Sequence, residues 1–415
     1  MPDEKQPSMK KPNFYYLSLP FSIVNGVVWG IGIVSLPLLA KTTARAGLTF
    51  AMINLGIATG AIVWGHLTPK FRLNNLIFTG TLLSFAGWLA IVLFNGKFLI
   101  PLAFVFGTFT ASIFTYASVM ITNTYPKELW DKYIAQMQAF MTFGTVVGLL
   151  VTAVYARAII ALPFLLAAIL AYLPFYRHHR AKATHHHIHF SLMRPKLHFA
   201  EIFNGYFHGH IQWKHLLNFK NKALLFLNIR WIFVMLAPAP VYAMYPLLMK
   251  KAFHLSTTGA SLIYSLSTAV GVILFITAGK IARKKSAFFT MNLGILSYTL
   301  SFILMLTGMW TPFYFIGIFG FMLMIFSWAF ISTGMNISVV EVTDEKKRGE
   351  ALGLANSFQS IDNVLGGAIG GFLVASMGYL VIMYFGILFS GIAILLSIFQ
   401  NKFKSDNYAI QKETN

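Results

Sequence analysis

Apolar residues in this chain come in long runs separated by short polar stretches. Twelve runs stand out: 16–39, 47–67, 75–95, 98–121, 134–156, 158–176, 224–248, 258–280, 287–308, 312–337, 350–376 and 379–400. A helix needs about 20 predominantly apolar residues to cross roughly 30 Å of hydrocarbon, and each run is near that length. The third and fourth are divided only by Asn95, Gly96 and Lys97, and the fifth and sixth by little more than Arg157. Connections so tight suit antiparallel helical hairpins. The first run starts near Tyr16, after Lys10 and Lys11. It is longer than the roughly 7–15 residues of a signal-peptide core, and no small-residue cleavage site follows it, so it reads as a retained span.

Composition removes the competing classes. Of 415 residues, 57% are hydrophobic and 11% charged, and the mean hydropathy is +0.68. Soluble domains carry about 25% charged residues, so a water-facing surface cannot be built from this chain. The formal charge of +20 would suggest nucleic acid in a soluble protein. Here the basic residues sit between the apolar runs, which is the pattern of membrane topology, and no nucleic-acid-reading module is present. With no cysteine, disulfides, thiol catalysis and cysteine-ligated metals are excluded.

Twelve spans with both termini inside place 25 Lys and Arg in the inner segments. Six lie outside: Lys41, Arg45, Lys97, Arg157, Lys250 and Lys251. The remaining one, Arg230, lies within the seventh run. That asymmetry supports the count and the orientation. The expected organisation is six spans over 1–176, a cytoplasmic His-rich loop over 177–223, six more spans over 224–400 and a cytoplasmic tail over 401–415. Compact loops and short tails point to a bacterial inner membrane. Within the loop, the stretch FNGYFHGHIQWKHLLNF (203–219) suits an amphipathic helix lying on the inner leaflet.

The two halves carry traces of a repeat. Gly65 to Lys70 follows the second run, and Gly279 to Lys284 follows the eighth, at an offset of 214. Gly144 and Gly148 in the fifth run answer Gly366 and Gly370 in the eleventh, at an offset of 222. With these residues the chain resembles the major facilitator superfamily. The most specific stretch is EKKRGEALGLANSFQSIDNVLGGAIGG, residues 345–371, with Arg348 and Gly349 at the turn and clustered glycines beyond. Gly65, Leu67 and Lys70, and Gly279 with Arg283 to Lys285, resemble the family's basic loop motif. Pro69 stands where that motif usually has Asp, and Arg72 where it usually has Gly. The fourth run holds no Arg of the drug:proton antiporter kind, and the fifth-run glycine motif lacks that branch's Pro.

The resemblance implies an all-α membrane protein whose two six-helix bundles rock about a central cavity, carrying a small, organic solute. Exchange for protons, running as efflux, is one mode it implies. It implies a cavity lined by Asn25, Trp29, Thr108, Tyr116, Asn228, Arg230, Trp231, Tyr242, Trp328, Asn336 and Gln359. An aromatic and amide lining suits an amphipathic solute. Gly366, Gly367, Gly370 and Gly371 form a ridge on the eleventh helix suited to sliding against the other half. Pro238 and Pro240 should bend the seventh.

Charges inside spans are expensive and usually functional. Asp362 sits about 12 residues into its run, and a carboxylate there is suited to binding and releasing a proton during the cycle; the plainer readings are a structural salt bridge or an Asp facing an aqueous vestibule. In the inner loops, Glu128, Asp131, Asp344, Glu345 and Glu350 can pair with Lys70, Arg72, Lys132 and Arg348 as a latch, or can be a solvated surface with weak pairs. Ten of the twelve histidines lie in the central loop. His185, His186, His187 and His189 have the chemistry to bind zinc, copper or nickel, which keeps a metal transporter or sensor open. A lipid-modifying membrane enzyme is the third reading, although no His-Asp pair or phosphate loop supports it. No cofactor is expected, and the lipid bilayer, a small-molecule solute and protons are the expected partners of a monomer.

Overall fold

The computed structural model describes residues 14–67, 73–94, 96–124, 130–170, 222–343 and 348–413, and among them every regular element is a helix. We number the helices α1 Phe14–Ala40, α2 Thr43–Leu67, α3 Leu73–Leu93, α4 Leu99–Thr124, α5 Trp130–Val154 and α6 Ala158–Leu170. After the central segment come α7 Lys222–Leu236, α8 Ala239–Ala252, α9 Thr257–Lys284, α10 Ala287–Trp310, α11 Tyr314–Glu341, α12 Arg348–Met377 and α13 Leu380–Glu413. Since α7 and α8 form one continuous apolar stretch, Ala223–Ala252, the described helices count as twelve, ten of them long and apolar enough to cross a membrane and two with shorter apolar stretches, Leu99–Ile113 and Ala158–Leu170. The described part of the sixth is shorter than the run 158–176. Helix α13 continues past the expected end at 400 because Leu380–Glu413 holds no proline and its last glycine is Gly391.

The short turns explain where helices stop. Gly96 (φ 79°) reverses the chain between α3 and α4, and Gly378 (φ 82°) between α12 and α13, a backbone region open to glycine at little cost. Ser256 caps α9 by accepting from the Gly259 N–H at 3.0 Å, and Ser286 caps α10 by accepting from Phe289 N–H at 3.0 Å. Lys41 (φ 66°) and His254 (φ 55°) take the left-handed conformation without being glycine. The connections at 41–42, 94–98, 155–157, 253–256, 311–313 and 378–379 all lie at one end of the molecule, which we call the short-turn end.

Within lipid there is no hydrophobic force between helices, so small residues that let backbones touch decide the packing. Gly30 of α1 lies so close to α5 that a Cβ there would stand 2.5 Å from the Thr145 carbonyl oxygen. From the other side, a Cβ on Gly144 or Gly148 would stand 2.9 Å or 3.0 Å from the carbonyl carbons of Ile23 and Val27. In the second half, α12 meets the seventh span in the same way: a Cβ on Gly366 would be 2.5 Å from the Ala239 Cβ, and one on Gly370 2.9 Å from the Pro240 Cα. First with fifth and seventh with eleventh are equivalent pairs. The chain therefore folds as two like bundles, α1–α6 and α7–α13.

Candidate functional site

The two bundles meet along two seams. In one, α12 lies on α2: a Cβ on Gly371 would stand 2.8 Å from the Thr43 carbonyl oxygen and 2.9 Å from the Gly47 Cα. Farther along, the Asn363 amide donates to Asn54 Oδ1 at 3.3 Å. In the other, α9 lies on α5. Thr258 donates to the Ala153 carbonyl at 2.8 Å, Thr152 to Ser261 Oγ at 3.3 Å and Ser265 to the Val146 carbonyl at 3.2 Å. All of these lie in the half of the helices nearest the short turns, and they reach inward as far as Asn54–Asn363 in the first seam and Ser265–Val146 in the second. The molecule is thus closed at its short-turn end.

The glycine ridge on α12 has two faces rather than one. Gly367 and Gly371 face α2 of the first bundle, as expected of a sliding surface. Gly366 and Gly370 face Leu236, Ala239 and Pro240 of their own bundle. Asp362 lies one turn before Gly366 on that second face. It is 1% exposed, and its Oδ2 has no hydrogen-bond partner. The seventh span is interrupted at Ala237 and Pro238, between α7 and α8, where the sequence expects a bend.

Several expected cavity residues are brought near the line between the bundles. Asn25 is buried and Trp29 partly buried on consecutive turns of α1. Trp29, Phe50, Trp88, Phe106 and, from the second bundle, Tyr242 line an apolar void of about 30 Å3. That is room for about one water molecule and too little for an organic solute. Tyr242 and Tyr298 approach each other through their side chains, beside a cluster in which Tyr245 stacks on Phe321 at 4.3 Å and meets Tyr264 edge-on at 4.9 Å. Trp231 donates from Nε1 to the Ala355 carbonyl at 3.0 Å, and its ring lies 6.1 Å from Trp328. Asn228, one turn before Trp231, is buried with an unpartnered Oδ1. Gln359 is partly buried, and Asn336 is exposed on α11.

Other candidates stand elsewhere. Arg230 is fully buried, but it faces α10 and α13 rather than the gap between the bundles. Its Nε donates to the Ala393 carbonyl at 3.0 Å, its guanidinium bonds Asn292 Oδ1, and it lies 5.3 Å from the Phe288 ring centre. It does not pair with Asp362, since one residue along a helix is a 100° rotation and Trp231 is what faces α12. Thr108 belongs to the α2–α4 contact: its hydroxyl donates to Phe104 and its carbonyl accepts from Trp64 Nε1 at 2.8 Å. Gly279 has open space where a Cβ would go, so no close approach requires a glycine there, and Arg283 is exposed. Lys70, the loop carboxylates Glu128, Asp344 and Glu345, and His185, His186, His187 and His189 lie outside the described residues. So do the side chains of Tyr116, Asp131 and Arg348 and the surroundings of Gly65 and Gly349. Among the described residues no cluster of three or more His, Asp or Glu side chains could hold a metal.

The structure adds residues that the sequence reading missed: Gly47, Asn54 and Asn363 in one seam, and Thr152, Thr258, Ser261 and Ser265 in the other. The amides carried a signal, as polar groups inside apolar runs. The hydroxyls carried none, because Ser and Thr are common in membrane helices and usually bond their own backbone, as Thr268 does to Tyr264 at 2.8 Å.

The fold is shared with solved transporters at low identity. The structure of the nucleoside transporter NupG superposes with a TM-score of 0.66 at 16% identity, covering 94% of this chain and 99% of that one. A D-xylose-proton symporter gives 0.70 at 14%, covering 93% and 97%. A bacterial homologue of the human lysosomal transporter Spinster, inward-facing and unoccupied, gives 0.70 at 13%, covering 94% and 96%. No curated protein sequence matches the chain significantly. The sequence itself matches the Major Facilitator Superfamily over residues 19–361 and again over 291–413. With that match and two like six-span bundles meeting at two seams, this multi-pass membrane protein belongs to the major facilitator superfamily of solute transporters.

Proposed function

We propose that the chain is an alternating-access carrier that moves a small amphipathic organic solute across the bacterial inner membrane in exchange for a proton, and that the present state is open toward the end bearing the chain termini. The carrying observation is that, among the described residues, the bonds between the bundles lie in the short-turn half, from Thr258–Ala153 inward to Asn54–Asn363. Two rigid bundles joined at one end can part there and meet at the other. The positive-inside asymmetry supports cytoplasmic termini, and the present opening is then inward. The bundles correspond to 1–176 and 224–400, joined by the 177–223 loop and working as a monomer.

The proton reading rests on Asp362, the one acidic residue buried among the described side chains. One solved relative is described as a D-xylose-proton symporter, so this fold accommodates proton coupling. The aromatic and amide groups Trp29, Asn25, Trp231, Trp328 and Gln359 suit a solute with an apolar body and a hydrogen-bonding head. Such a carrier leaves its solute chemically unchanged. The test is flux in proteoliposomes loaded with a panel of small organic solutes under an imposed pH gradient. Gradient-driven accumulation of at least one solute, lost in Asp362→Asn while counterflow exchange remains, is expected. Driven transport unchanged in Asp362→Asn refutes the coupling role, and no flux of any solute refutes the carrier.

A further inference from the structure

The proline break in the seventh span leaves main-chain acceptors without their usual donors. Pro238 and Pro240 have no N–H, so the carbonyls of Val234 and Leu236 receive no bond from four residues on. Inside a membrane such an acceptor has no water to turn to and needs another donor. The Leu236 carbonyl points at α12: a Cβ on Gly366 would be 3.3 Å from its oxygen. Position 366 carries no side chain to stand in between. One turn away on the same face, about 6 Å along the axis, is Asp362, buried and with Oδ2 unpartnered.

A carboxyl with one unpartnered oxygen and a carbonyl deprived of its helical donor thus lie on facing surfaces of two helices. An ionised carboxylate can only accept hydrogen bonds, while a protonated one has an O–H to give. We propose that the Asp362 carboxyl, when it takes up a proton, donates it in a hydrogen bond to the Leu236 carbonyl at the break, and that this bond fixes α12 on the α7–α8 junction in the state opposite to the one seen here. Proton uptake forms the carboxyl O–H bond, and release to water breaks it, so the step balances without a co-reactant. Gly366 and Gly370 are the surface over which α12 shifts to bring the two groups together.

Among the described residues, no charged side chain faces Asp362 from the helices around it. On α2, Arg45 is held by the Gly96 carbonyl at 2.8 Å. On α7, Arg230 is turned to α10 and α13. On α8, Lys250 and Lys251 are exposed near its short-turn end, Tyr245 donates to the Ala260 carbonyl at 2.7 Å, and Tyr242 faces Tyr298. On α11, Glu341 is exposed at the far end, and among α13's described side chains the one titratable group is Tyr384, beside Trp310. The protonation state of Asp362 is therefore free to be read by the break alone.

This inference rests on Asp362 as the proton site, and its test needs no solute. The chain has no cysteine, so Lys97→Cys and Phe313→Cys, both exposed on short turns of opposite bundles, carry the only spin labels. Their distance distribution is recorded in lipid nanodiscs in mildly acidic and mildly alkaline buffer. In the parent, the ratio of the two populations should change with pH by roughly two- to tenfold, the effect of one hydrogen bond. Asp362→Asn, whose amide donates without titrating, should hold the acid-side ratio in both buffers. Pro240→Ala, which returns an N–H to the Leu236 carbonyl, should hold the alkaline-side ratio in both. A pH-insensitive parent, or a pH response that survives either substitution, overturns the inference. Should Pro240→Ala fail to fold, Asp362→Asn decides alone. None of these results bears on solute exchange, so the carrier reading stands or falls separately.

Discussion

A methyl group added at Gly371 should open the short-turn end without unfolding the protein, whereas the same group at Gly30 should destabilise the fold. At Gly371 the new Cβ would stand 2.9 Å from the Gly47 Cα and 2.8 Å from the Thr43 carbonyl oxygen. Carbon atoms sit best about 3.5–4.0 Å apart, so α2 and α12 must separate by roughly 0.6–1 Å. Overpacking of that size costs about 1–3 kcal/mol. The seam exists only while the bundles are closed at this end, so the penalty falls on one state and shifts the equilibrium by roughly 5- to 150-fold. At Gly30 the Cβ would stand 2.5 Å from the Thr145 carbonyl oxygen, inside one bundle. Both conformations keep that contact, so the cost appears as lost stability. Glycine-to-alanine also favours a helix by about 1 kcal/mol, and this offset is common to both variants. The assays are the Lys97–Phe313 label distance and the melting temperature in detergent. Gly371→Ala should lengthen the distance and leave melting nearly unchanged, and Gly30→Ala should do the reverse. If Gly371→Ala melts as low as Gly30→Ala with the distance unmoved, the α2–α12 seam is permanent and the two-state reasoning fails.

Removing the 2.8 Å bond in Thr258→Val should weaken the α5–α9 seam by about 1 kcal/mol, roughly fivefold in the same label ratio; no change in that ratio would show the bond to be incidental. Asn292→Leu takes an acceptor from the buried Arg230 guanidinium and should cost about 1.5–3 kcal/mol of stability, seen as a lower melting temperature with closure unaltered. Lys41→Gly relieves a left-handed residue at the α1–α2 turn and should raise stability by about 1 kcal/mol, against a loss if the lysine side chain anchors the turn.

The spans were legible because the bilayer sets their length, and the break in the seventh was legible because proline cannot donate. The fold followed once the spans were counted and paired. What the sequence does not carry is rotation about each helix axis. Lipid-facing and bundle-facing residues are both apolar, so there is no polar stripe to show which side faces in. This is why Arg230 reads as a cavity residue while the structure turns it toward Asn292 and Ala393, and why Thr108 falls in the α2–α4 contact. It is also why Gly366 and Gly367, adjacent in sequence, serve different contacts. Asn54 and Asn363 are single amides 309 residues apart, and nothing local links them. The charged loops and the histidine run lie outside the described residues, and the latch and metal readings go with them.

The contrast between the contacts within and between bundles explains how one proton or one solute can be enough. Inside each bundle, backbones meet at glycines on both partners, as Gly30 with α5 and Gly148 with α1, and such packing resists displacement because every added ångström loses many contacts together. Between bundles, close backbone approach is confined to Gly47, Gly367 and Gly371 among the described glycines, supplemented by the bonds of Asn363, Thr152, Thr258 and Ser265. At about 0.5–1.5 kcal/mol net for each bond, the four contribute only a few kcal/mol, and the opposite state has its own contacts to offset them. Two states so nearly balanced are shifted by any ligand whose affinities for them differ by a similar amount. Helix α12 is where such a bias would be transmitted, since one of its faces lies on α7–α8 of its own bundle and the other on the contact that opens. A change at Asp362 need only rotate or slide α12 by a fraction of a turn to alter both.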